Sequence, residues 1–153
     1  LRRFLCDRRA GCASTSFYAG ADICRSYSMA TLTQEHPAEH GLLDSRRGYV
    51  RKASHRAMSV YNATLAEAEF VSSRKVGEVI ADEYERNGRR LIAYYRADKL
   101  TENRPASTWD AGEAELPDGG CLTDLLTGRV YARPKQLPLR DYPMLWSEER
   151  EGR

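Results

Sequence analysis

No uninterrupted apolar run in this sequence approaches the ~18 residues a membrane-spanning helix needs, so no such helix and no membrane partner is expected. Charge of one sign is also scarce, since 24 Lys and Arg are interspersed with 22 Asp and Glu, leaving +2. A nucleic-acid surface needs clustered cations, so no nucleic-acid partner is expected either. The small basic cluster Leu1-Arg2-Arg3 with Arg8-Arg9 reads as a solvated helix face. The four cysteines are Cys6, Cys12, Cys24 and Cys121, and no two have the C-x2-C spacing of a zinc site. The chain is neither short nor cysteine-dense, so buried thiols are expected rather than disulfides. G-x-G-x-x-G, P-loop and G-x-S-x-G motifs are missing, which leaves nucleotide binding and acyl transfer without an anchor. The opening residues lack the charged, apolar and small-residue regions of a signal peptide. Leu1 is not an initiator Met and the first Met is Met29, so a processed product or a fragment is expected.

What is present is a chain of 153 residues, 41% hydrophobic, enough for one compact domain or for one domain with an appendage. A complete (β/α)8 barrel takes about 250 residues and does not fit. Arg2 to Arg9 reads as the end of a charged helix with Phe4 and Leu5 facing a partner, and Gly11 ends it. Ala13 to Ala19 is a small-residue and aromatic run of strand length with few charges, suited to a strand covered on both faces. Residues 20–40 show no clean period and read as a long loop. From Lys52 to about Ala68, the residues Ala53, Ala57, Val60, Tyr61, Thr64 and Leu65 form one stripe at helical spacing.

The period then changes. Val76 to Glu85 and Arg89 to Ala97 flank Asn87-Gly88, a pair suited to a type I′ hairpin turn. Leu91, Ala93 and Tyr95 alternate with Ile92 and Tyr94, so both faces of that run are apolar or aromatic, as on an inner strand of a sandwich. Residues 98–113 are polar and read as a loop. Turns at Asp118-Gly119-Gly120 and Thr127-Gly128-Arg129 separate further short runs, and prolines confine the last pieces to edges or strand ends. Short strands at this spacing predict an antiparallel sheet or small sandwich.

Four pieces, in order, carry a family resemblance. Ser14-Thr15-Ser16-Phe17-Tyr18 is similar to the eighth barrel strand of clan-A (β/α)8-barrel glycoside hydrolases. Glu39-His40-Gly41-Leu42-Leu43 is similar to the end of the loop that follows that strand. Tyr61 to Val71 resembles the last barrel helix and its crossing to a β-domain. Leu116-Pro117-Asp118-Gly119, Thr123-Asp124-Leu125-Leu126-Thr127-Gly128, Leu137-Pro138-Leu139 and Tyr142-Pro143-Met144-Leu145 resemble the C-terminal β-domain of such enzymes. The resemblance implies an α+β chain: one terminal β-strand/α-helix unit of an incomplete barrel, then an antiparallel β-sheet or small β-sandwich. It implies a barrel-end remnant over 1–70, an antiparallel β-domain over 71–148 and a disordered tail over 149–153.

The function so implied is that of the C-terminal part of a retaining glycosidase, packing on a catalytic barrel. Hydrolysis there needs two carboxylates about 5 Å apart. In the family these come from strands four and seven, and no residue here matches them, so the chain alone is expected to be inactive. The usual eighth-strand Trp position falls at Gly20, which leaves Tyr18 and Asp22 as the candidate sugar contacts. Polysaccharide or oligosaccharide would be met through the parent enzyme, and no cofactor is implied. A cut barrel face would expose Phe17, Val60 and Tyr61 and favour self-association. The alternatives are a non-catalytic carbohydrate-binding module and an unrelated α+β interaction domain.

Three sharper motifs carry less. His36-Pro37-Ala38-Glu39-His40 matches the H-x-x-E-H of some zinc peptidases, but Pro37 disfavours the helix such a site requires. Asn62-Ala63-Thr64 fits a glycosylation sequon but lies on the strongest predicted helix. Tyr94, Tyr95, Trp109, Tyr131 and Trp146 could line a sugar-binding face, but aromatics on such strands are more often core.

Overall fold

The computed structural model describes residues 1–16, 21, 41–44, 47–97, 107–110, 116, 120–132 and 134–148. Among them the elements run α1 (Arg2–Arg9), β1 (Leu43–Asp44), β2 (Val50–Arg51), α2 (Ala53–Leu65), β3 (Glu69–Val76), β4 (Val79–Arg86), β5 (Arg89–Arg96), β6 (Ser107–Asp110), β7 (Cys121–Asp124), β8 (Val130–Ala132), β9 (Gln136–Leu139) and β10 (Met144–Ser147). The class is α+β with antiparallel sheets, as the sequence implies.

Three layers follow from residue alternation. A six-stranded sheet has the order β3-β4-β5-β10-β7-β8, and each neighbouring pair is antiparallel. Successive side chains of a strand point to opposite faces, and β5 uses both. Ile92 and Tyr94 join Val79, Ala81, Leu122, Met144 and Trp146 on one face, covered by Trp109, Leu137 and Leu139 of the β6–β9 ribbon. Leu91, Ala93 and Tyr95 join Tyr84 and Leu145 on the other, covered by Leu5, Tyr61 and Leu65 of the two helices. The strand predicted to be covered on both sides lies inside the sheet, between β4 and β10.

The local chemistry explains the best-formed elements. At the β4–β5 turn, Asn87 has φ 54° and Gly88 has φ 70°, the two positive values a type I′ hairpin needs. The α2 residues Ala57, Tyr61 and Leu65 are its buried stripe, spaced four apart. Its C-terminal carbonyls are covered from outside the helix. Arg8 donates to Leu65 O (2.6 Å) and Ala68 O, and Arg86 donates to Ala63 O (2.7 Å) and Thr64 O (3.1 Å). Two guanidinium groups thus satisfy carbonyls that every helix end leaves without intrahelical partners.

The structure also departs from several expectations. The run predicted as one strand from Val76 is broken at Gly77-Glu78, so Val76 ends β3 and Val79 begins β4. Gly77 has φ 57°, the glycine-first pattern of a type II′ turn. The polar stretch 98–113 contains β6, which pairs with β9 some thirty residues later (Trp109↔Leu137). The proline expectation is met in its strand-end form: β10 is an interior strand, and Pro143 lies just ahead of its first residue, where no ladder donor is lost. Residues 13–16, the described part of the predicted strand 13–19, form no strand. There the chain turns back on α1, with Cys12 N bonded to Asp7 O (2.9 Å) and Thr15 Oγ1 to Asp7 Oδ2 (3.0 Å).

The expected exposed face is not met at Tyr61, which is buried with its ring 5.6 Å from that of Phe4; Val60 packs half-buried beside it. Phe17 lies outside the described residues.

Candidate functional site

Tyr18 and Asp22, the two residues predicted to contact sugar, lie outside the described residues, as do His36, Glu39 and His40 of the zinc-like motif and Cys24. What the structure brings together near that part of the chain is a recess of about 540 Å³ between α1, residues 11–15 and the α2–β3 link. Phe4, Tyr61 and Phe70 give it apolar walls, and Arg8, Asn62 and Glu69 give it polar ones. A space of this size and mixed lining is in the range of small-molecule sites. Its main cation is already engaged, because Arg8 donates to backbone carbonyls and lies 5.4 Å from the Tyr84 ring centre.

The most concentrated polar chemistry lies deeper, where α1 meets the sheet. Ile80, Asp82 and Tyr84 alternate on the helix-facing side of β4, so Asp82 is carried into the interior, fully buried. One of its oxygens, Oδ1, accepts from Ser73 Oγ of β3 (2.6 Å) and from Arg9 Nη1 of α1 (3.1 Å). Burial opposes the Arg9 charge, but Asp82 and Tyr95 more than offset it and raise its pKa. The Tyr95 hydroxyl sits 3.7 Å from Cys6 Sγ, and burial with that contact pushes the phenol up to about 12. Burial, reinforced by the Asp82 charge, also raises Tyr84. Among the described residues, neither Asp82 Oδ2 nor the Tyr84 hydroxyl has a hydrogen-bond partner. The basic cluster predicted to be a solvated face is solvated at Arg3, 82% exposed, but docks at Arg8, which holds carbonyls, and at Arg9, which holds a buried carboxylate.

The other buried acids also have structural partners. Asp7 accepts from Arg3 Nε (2.6 Å) and Thr15. Asp124 accepts from Leu126 N (2.8 Å) and Thr127 N (3.1 Å) through Oδ1, closing the turn into β8, and from the Tyr142 hydroxyl (3.2 Å) through Oδ2. On the sheet surface, Glu83 receives two bonds from Arg90, at 2.6 and 3.2 Å, and that hydrogen bonding lowers its pKa. A lowered carboxylate pKa stabilises the fold above the group's unfolded value and loses that contribution as pH falls through the folded one. Glu83→Gln should therefore cost about 0.5 kcal/mol at neutral pH. The difference from wild type should vanish in urea titrations as pH drops from the ordinary Glu value of 4.5 to below the folded one. A gap that persists below that range would remove the ion pair as its cause.

Among the described residues, no group of three or more His, Cys, Asp or Glu side chains could hold a metal ion. Cys6 and Cys121 are half-buried thiols and Cys12 is an exposed one, which corrects the expectation of burial for Cys12. Tyr94, Tyr95, Trp109 and Trp146 are buried and only Tyr131 of the aromatic set is exposed, at 42%. The four buried rings are core, not a sugar platform.

No family model and no curated protein sequence matches the chain. Its fold is similar to that in a solved structure of a family 39 glycoside hydrolase from the gut symbiont Bacteroides cellulosilyticus WH2. The TM-score is 0.53 at 17% sequence identity, over 73% of this chain and 22% of that one. The chain thus spans about a fifth of the length of the enzyme it matches. In fold, this protein is similar to one part of a clan-A glycoside hydrolase.

Proposed function

We propose that this chain is the C-terminal, non-catalytic part of a glycoside hydrolase: a barrel-end segment over 1–70 and a β-domain over 71–148 that packs on a catalytic barrel. The observation that carries the reading is the fold shared with one part of a far longer glycoside hydrolase. The state of the buried acids supports it. A retaining glycosidase needs one carboxylate as nucleophile and a second, of raised pKa, as acid. Asp7, Asp82 and Asp124 are instead tied into turns and helix docking. Polysaccharide reaches the assembly through the barrel and not through the sheet, whose rings at Tyr94, Tyr95, Trp109 and Trp146 are enclosed.

The test has two arms. The purified chain, given a panel of aryl glycosides, should show no turnover above buffer, and titration with soluble glucan, xylan or mannan should give no heat. Then the polypeptide encoded immediately upstream should be expressed separately and mixed with it. A complex, together with a raised melting temperature of both parts, is expected. Turnover by the chain alone, or an upstream frame that encodes no barrel with two strand-end glutamates, would overturn the proposal. Saturable heat with a polysaccharide would favour a binding module instead.

A further inference from the structure

We infer that α1 is a detachable strap, which undocks from the sheet as a unit while the six-stranded ladder stays intact. The inference does not depend on the functional reading above. The sheet is joined strand to strand by backbone ladders. Among the described residues, α1 bonds to the layer beneath it through side chains: Arg8 to Leu65 O and Ala68 O, Arg9 to Asp82 and Ser73, and Cys6 with the Tyr95 hydroxyl. Leu5 adds apolar burial, as it is wholly enclosed. Releasing α1 therefore breaks no rung of the sheet.

Both polar groups beneath α1 are touched by its cations, since Arg9 bonds to Asp82 and the Arg8 guanidinium lies 5.4 Å from the Tyr84 ring centre. Asp82 and Tyr84 are both fully buried on the helix-facing side of β4. Asp82 Oδ2 and the Tyr84 hydroxyl have no partner among the described residues. A buried polar atom without a partner loses its hydration and gains nothing in return. Opening at α1 lets water reach both atoms, so undocking relieves a penalty that docking imposes. Global unfolding relieves the same penalty but must also break the ladders. The α1 opening is thus the cheaper of the two, as expected for a unit held by side chains over an incompletely satisfied polar floor.

Native-state hydrogen exchange with mass readout tests this on the intact chain, comparing the α1 amides with those of β5 at rising sub-denaturing urea. The α1 amides should exchange through an opening with a clearly smaller urea dependence than β5, because less surface is exposed. Tyr84→Phe keeps the ring and removes only the orphan hydroxyl. It should slow α1 exchange about fivefold, since the docked state no longer buries an unsatisfied group. Equal rates and urea slopes for α1 and β5 would make them one cooperative unit and overturn the inference. A smaller slope with no response to Tyr84→Phe would also overturn it, because the opening would then be fraying of helix ends without undocking.

Discussion

Gly120→Ala should destabilise the fold by about 3 kcal/mol, at the upper end of what overpacking costs. Gly120 stands just ahead of β7, and a methyl group there would clash with the Nε1, Cε2 and Cζ2 edge of the Trp146 indole. Trp146 is 2% exposed on β10, opposite Leu122 and Ile92, so its ring has no solvent to swing into. Either the β7 backbone moves away from β10 or the ring leaves its rotamer, and both spoil the central pairing. The check is a urea titration of both single variants and of Gly120→Ala combined with Trp146→Phe. If the clash is the cause, the glycine replacement will cost far less when Trp146→Phe is already present, because the phenyl ring is smaller. An equal cost in both backgrounds would place the strain in the backbone at residue 120.

Trp109→Ala should cost about 3–5 kcal/mol, the usual range for emptying a buried aromatic site. Trp109 is 5% exposed, and its ring meets that of Tyr94 at 5.6 Å and 60°. It is the largest side chain by which the β6–β9 ribbon covers the sheet; Leu137 and Leu139 contribute the rest. A melting temperature lower by about 6–20 °C is expected for a domain of this size. Because the sequence has two tryptophans, emission from the variant reports Trp146 alone. A blue-shifted Trp146 at low temperature would mean that the sheet survives with its ribbon loosened. A fall of under about 2 °C would show that the ribbon contributes little to the core.

What could be read in the sequence was what is decided locally. Asn87-Gly88 specifies its own turn, and the stripe through Ala57, Tyr61 and Leu65 specifies which face of α2 is buried. The alternation of Leu91 to Tyr95 marks both faces of β5 as covered without specifying either cover. β3 was missed because its burial does not alternate: it is polar along most of its length, mostly exposed, and bulged between Phe70 and Ser72. β6 was missed because its partner is remote and its own four residues carry little pattern.

The polar site was the least legible part. A lysine- or arginine-rich helix looks the same whether its cations meet water or carbonyls, and the acceptors of Arg8 lie 57 to 60 positions further on. Asp82 did leave a signal, since it sits between Ile80 and Tyr84 in strand alternation, on the side that reads as interior.

β10 joins the two halves of the six-stranded sheet. β5 and β7 do not touch each other as ladder partners; each pairs with β10, through Met144↔Tyr94 and Met144↔Asp124 and the rungs beyond. While the ribosome is still short of residue 144, the nascent chain holds two half-sheets with bare, apolar inner edges. A stop codon before that strand would leave those edges open to other chains and should direct the product to aggregates or proteolysis.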